Sequence, residues 1–232
     1  MDRKDQLLIF KAQTQNVRSL EKTWTQLKRT INSELANSQL SSAKNHTKIL
    51  VLIFCAWSES NFQKLIHTPH GFELTEIEQI KRIASSDIVK GWKKCLAIGL
   101  SKIPSSSKSS YKPNIKKTIE DIIDRYVNNP RLVRNKIAHG QWENALNREN
   151  TALNPLLTNE IDEIDIVKLD IWLDAYKSLS NIIEAMIESP TRSFHRDYWN
   201  EIASIKQTLL DKEKWTLSTK IKRLQQKKSY YK

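Results

Sequence analysis

The side chains best suited to chemistry lie mid-chain, in Arg131-Leu-Val-Arg134-Asn135-Lys136-Ile-Ala-His139-Gly140. In a helix, Asn135 and His139 fall one turn apart on one face. Arg134 sits at the edge of that face with a side chain long enough to curl toward the same point, and Arg131 precedes Asn135 by one turn. A guanidinium grips two oxygens in a fork, an amide orients, and an imidazole moves a proton near neutral pH. Together they suit a phosphate. The same residues also read as an ordinary helix end. Gly140 is a good residue after a last turn, a histidine there complements the helix dipole, and Arg and Asn solvate the face.

The elements around this segment are expected to be helical. Pro130 opens the short helix that carries it, after a longer one from Pro113 to about Asn128. Leu7, Leu8, Phe10, Val17, Leu20, Trp24, Leu27, Ile31 and Leu35 recur at three- and four-residue steps and predict a long first helix. A polar linker over Asn37–Asn45 leads to a strongly apolar helix, roughly His46–His67, ended by Pro69 and Gly71. Short helices follow near Thr75–Ala84, capped by a Thr75/Glu78 box, and near Asp87–Ile103. Ser105–Ser110 reads as a loop, and so does the polar stretch Asn144–Asn159. Periodic helices are then expected near Ile164–Ile187 and Phe194–Leu210, and the basic tail either extends the last one or frays.

Composition narrows the class. Of 232 residues only 4 are glycine, too few and too scattered for a dinucleotide fingerprint, a phosphate loop or a nucleophile elbow. All-β folds need more turn glycines, so the expected fold class is all-α. The formal charge of +12 and a pI near 9.6 favour a polyanionic partner, RNA or DNA. The charge is uneven: Lys212–Lys232 is strongly basic, whereas Glu160–Asp174 carries six acids against Lys168 alone. Two cysteines exclude a disulfide framework and a cysteine-based zinc site. The N-terminus lacks the features of a signal peptide, and the longest apolar run, Ile49–Trp57, is about half a membrane span. A cytoplasmic protein with no membrane partner is expected.

RNKIAHG resembles the Arg-x(4–6)-His signature of the HEPN family in its Arg-Asn-x-x-x-His form, and ILVLIFCAWSESNF resembles an early helix of that family. The likeness spans roughly Asn45–Ser189, with the motif as its specific part. It implies an antiparallel HEPN-like helical bundle with extra N- and C-terminal helices. With no internal repeat and no second core, the chain itself reads as one helical domain over 1–210, with a lid-like insertion, and a basic tail over 211–232. The likeness also implies a homodimer that pairs two motifs and cleaves RNA without metal or cofactor. The RNA 2′-OH attacks the adjacent phosphorus, which spares DNA. By position, His139 would transfer protons, Arg134 would hold the phosphate, and Asn135 would orient either of them. Glu59 is a supporting candidate for positioning Arg134 or forms a structural salt bridge. A toxin or anti-phage role and a neutralising partner such as a nucleotidyltransferase-like antitoxin follow from the family's habits. The alternative is a non-catalytic helical dimer that binds nucleic acid or a protein.

Other residues divide between functional and structural readings. Arg131 and Lys136 would contact neighbouring phosphates or be solvated; Trp142 would stack on a base or anchor the core. His195 and Arg196 would line the cleft or pack. His67 and His70 lack a third ligand for a metal. Trp215, Tyr230 and Tyr231 interleave with the tail's cations, as in sequence-tolerant nucleic-acid contacts or at a solvated helix end.

Overall fold

A computed structural model describes residues 1–104 and 111–230, and the loop expected over Ser105–Ser110 lies outside the described residues. The described chain is all-α: α1 (Arg3–Ala36), α2 (Leu40–Ile66), α3 (Leu74–Ala84), α4 (Ile88–Lys102), α5 (Tyr111–Ile123), a π-helical turn (Asp124–Asn128), α6 (Asn129–Ala138), α7 (Pro155–Asp162), α8 (Ile166–Glu188), α9 (Ser193–Lys214) and α10 (Leu217–Tyr230). No strand occurs among the described residues. One isolated antiparallel bridge joins Leu146 and Leu153.

The chain groups into two compact units, each drawn from three separate stretches. The first comprises Met1–Val17, Ser58–Asn128 and Asp174–Gln207. Its core centres on Trp92, whose ring lies 5.2 Å from Phe62 and meets Tyr176 edge-on at 5.3 Å. The Tyr176 hydroxyl donates to the Ser58 carbonyl at 2.6 Å, so the aromatic body is buried with its polar end satisfied. α3 and α4 approach closely because Gly91 has no side chain. A Cβ there would lie 2.6 Å from that of Ala84. The cap of α3 falls two residues before the expected Thr75/Glu78 box. Glu73 precedes the helix, and its N–H donates to the Glu76 carboxylate at 2.8 Å. The Glu73 carboxylate also pairs with Arg3 at 2.5 Å.

The second unit comprises Arg18–Trp57, Asn129–Leu173 and Thr208–Lys232. Phe54 sits within 6.3 Å of Trp24, 6.1 Å of Trp57 and 5.9 Å of Trp172. The linker expected over Asn37–Asn45 shrinks to three residues, since α2 begins at Leu40. Ser42 donates to the Glu34 carboxylate at 2.6 Å and the His46 ring pairs with it at 2.8 Å, and these contacts hold a polar, Ser-rich segment in a helix. Within Asn144–Asn159 the chain forms the start of α7, opened by Pro155 with Asn154 accepting from the Leu157 N–H at 3.1 Å. Of the stretch expected as a basic tail, Leu217–Tyr230 forms α10, and Tyr231 and Lys232 lie outside the described residues. Among the described helices α2 is long and apolar enough to cross a membrane, and half of its apolar window is buried in the protein, as in a core helix.

Candidate functional site

α6 carries Arg131 to Ala138. The sequence places a helix boundary between Asn128 and Pro130, but the helical chain continues through that point by way of the π turn. Proline lacks an N–H and crowds the carbonyl four residues back, and a five-residue repeat gives the ring room. Pro130, Val133 and Ile137 are buried and anchor the inner face of α6. Arg131, Arg134, Asn135 and Lys136 are half-buried, while Leu132, Ala138 and His139 are exposed.

Arg134 Nη1 donates to Asn135 Oδ1 at 3.3 Å, a bond between neighbouring side chains. The His139 N–H donates to the Asn135 carbonyl at 3.2 Å and closes the last helical turn. Gly140 then takes a left-handed conformation, φ 78°. Its N–H reaches the Ile137 carbonyl at 3.1 Å and the Gln141 N–H reaches the Lys136 carbonyl at 2.9 Å, the two bonds of a Schellman end. No atom crowds a Cβ at Gly140, so backbone conformation alone calls for glycine there. This ending leaves the His139 side chain in solvent, one turn after Asn135.

The chain beyond the turn is tied back to α6. Trp142 Nε1 donates to the Ile137 carbonyl at 3.0 Å, and Lys136 Nζ donates to the Leu146 carbonyl at 2.6 Å. The Leu146 N–H donates to the Gln141 side chain at 2.8 Å. Lys48 of α2, its side chain fully buried, reaches Glu143 at 2.5 Å and lies 5.8 Å from the Trp142 ring. The Lys48 ammonium holds the Glu143 carboxyl below its ordinary range, first by a hydrogen bond and then by charge. Lys136 and Trp142, singled out as RNA contacts, thus make internal bonds that fix the helix end.

Glu59, His67, His195 and Arg196 lie in the first unit, and of the tail's aromatics Tyr231 lies outside the described residues. Glu59 is exposed on α2 and edges a groove with Gln13, Gln63 and Lys81. The His195 ring stacks on Tyr111, whose hydroxyl meets Nδ1 at 2.9 Å, and Arg196 forms two bonds with Asp197. His67 is buried, donates from Nδ1 to the Gln63 carbonyl at 2.7 Å, and has its pKa lowered chiefly by burial. Cys95 is buried and its thiol is pushed far up, which removes it as a nucleophile. No cluster of three or more metal-ligating side chains occurs among the described residues.

Sequence reasoning missed Lys48 and Glu143. A signal existed for the first: a lone lysine opening the apolar run KILVLIF needs a partner once buried. No protein-family model matches this chain, and neither a curated protein nor a solved structure matches it.

Proposed function

We propose that the protein is a metal-independent RNA endonuclease of the HEPN type, acting as a homodimer of antiparallel helical bundles. The observation that carries this reading is the end of α6. There the Arg134 guanidinium donates to Asn135, and His139 stands one turn away in solvent on a backbone closed at Gly140. Arg134 binds the non-bridging oxygens of the scissile phosphate and offsets the charge that grows on them as phosphorus becomes five-coordinate. One His139 takes the proton of the ribose 2′-OH, whose oxygen attacks phosphorus. The His139 of a second copy protonates the departing 5′ oxygen. The P–O5′ bond breaks, leaving a 2′,3′-cyclic phosphate and a 5′-OH. Residue by residue the chemistry needs no metal. In a cell this activity suits a cytoplasmic toxin or anti-phage effector restrained by a neutralising partner, such as a nucleotidyltransferase-like antitoxin.

One observation favours the non-catalytic alternative, a helical dimer that binds nucleic acid or protein. Lys136 and Trp142 are engaged in holding the helix end, which a purely structural motif also requires. The deciding experiment incubates the protein with total RNA in EDTA beside His139→Ala and Arg134→Ala. Cleavage by the wild type alone, with 2′,3′-cyclic ends, is the expected result. Intact RNA, together with unchanged growth on overexpression, favours the binding module.

A further inference from the structure

The basic C-terminal segment is a docked helix with two unlike faces. Thr216 caps α10 by accepting from the Thr219 N–H at 3.3 Å. Leu217 and Ile221 turn inward and close one side of a cavity of about 340 Å³ lined by Ile31, Leu35 and Ile166. Lys220 lies 3.5 Å from Asp170, a carboxylate it shares with Lys28. Gln225 donates to Ser38 at 3.2 Å, and Lys228 bonds Asn37. Half a turn round the helix, Lys222, Arg223 and Lys227 are exposed, and Lys214 is exposed just before it. No acidic residue occurs between Lys214 and Ser229. The Arg223 guanidinium lies 3.9 Å above the Trp215 ring, so one side of that plane is backed by the indole.

We propose that this outer face of α10 is a phosphate-binding platform for single-stranded RNA, separate from the motif on α6. The inference rests on the proposed function only for the choice of RNA. An uncompensated row of cations on a fixed helix attracts a polyanion through counterion release. A backed guanidinium plane offers a stacking surface to an unpaired base. An acidic membrane fits less well. A helix lying on a bilayer must insert its apolar face, and on α10 that face is spent against the protein.

The test uses the full-length His139→Ala protein, so that RNA is not consumed, and follows anisotropy of a labelled single-stranded RNA across a salt series. Changing Lys222, Arg223 and Lys227 together to Gln is expected to weaken binding at least about tenfold and to lower the salt slope by about 2, near 0.7 per phosphate contact. Lys222→Arg with Lys227→Arg keeps the charge and is expected to keep affinity and slope. Circular dichroism and the melting temperature establish that each variant is folded. Unchanged RNA affinity and slope in the triple variant overturn the proposal. So does a triple variant that loses binding to phosphatidylserine vesicles while retaining RNA. If the wild type fails to cleave RNA but binding depends on α10, the catalytic reading falls and this one stands.

Discussion

At the end of α6 the Schellman bonds, the Trp142 indole, the Lys136 ammonium and the Lys48–Glu143 pair converge on a few residues around one exposed histidine. Along α10 the attachments, Lys220 to Asp170, Gln225 to Ser38 and Lys228 to Asn37, are spread over its length, and Lys222, Arg223 and Lys227 are exposed to solvent. Both regions are basic, yet they differ as their proposed tasks differ. Proton transfer depends on position to a fraction of an ångström, whereas attraction of a polyanion depends on sign and density of charge.

The largest effect that separates the two regions is on catalysis. His139→Ala is expected to lower RNA cleavage by about 10²–10⁴-fold with the melting temperature unchanged, since its side chain is exposed. Arg134→Lys, measured in the same gel assay, also loses most activity because the fork is gone; on α10 the Lys222→Arg exchange leaves binding intact. A second contrast is in stability. Glu143→Gln strips the buried Lys48 of its counter-charge and is expected to cost roughly 1–3 kcal/mol in urea unfolding. Lys48→Met with Glu143→Gln is expected to recover most of that loss, because the desolvated charge leaves as well. Lys222→Gln, by comparison, moves stability by less than about 0.5 kcal/mol.

Gly140→Ala is expected to cost about 1–2 kcal/mol for forcing an alanine into the left-handed region, and Gly140→Asn less, since Asn enters that region more readily. Equal costs for the two would show that the Schellman turn is not what holds the end of α6. The smallest effect tests a residue of the other unit. Burial lowers the pKa of His67 in the folded protein below its ordinary value. Stability is therefore fully present above about 6.5, the unfolded value, and is lost as pH falls through the lower folded one. Melting temperatures between neutral and mildly acidic pH follow this slope, and His67→Gln is expected to flatten it.

Local signals were legible and long-range ones were not. The scarcity of glycine pointed to an all-α chain, and Gly140 marked the end of α6 because a left-handed residue after a last turn is a property of the backbone itself. The start of α2 was read as a linker because Ser and Asn are poor helix formers, and the carboxylate that overrides them, Glu34, lies on another helix. α7 had its sign in Asn154-Pro155, submerged in a polar stretch that reads as loop. The pairing of Lys48 with Glu143 spans 95 residues and has no periodicity to betray it.

The bridge between Leu146 and Leu153 carries a practical consequence. The Asn147 N–H donates to the Ala152 carbonyl at 2.8 Å, and the Asn147 side chain accepts from the Thr151 N–H at 2.9 Å, so the excursion between them closes on itself. Glu149 and Asn150 form its exposed tip. Lengthening such a sealed tip costs only loop entropy, about 0.6 kcal/mol for each doubling. A peptide tag or a fluorophore can therefore be spliced in between Glu149 and Asn150, close in sequence to the motif, while both ends of the excursion stay pinned.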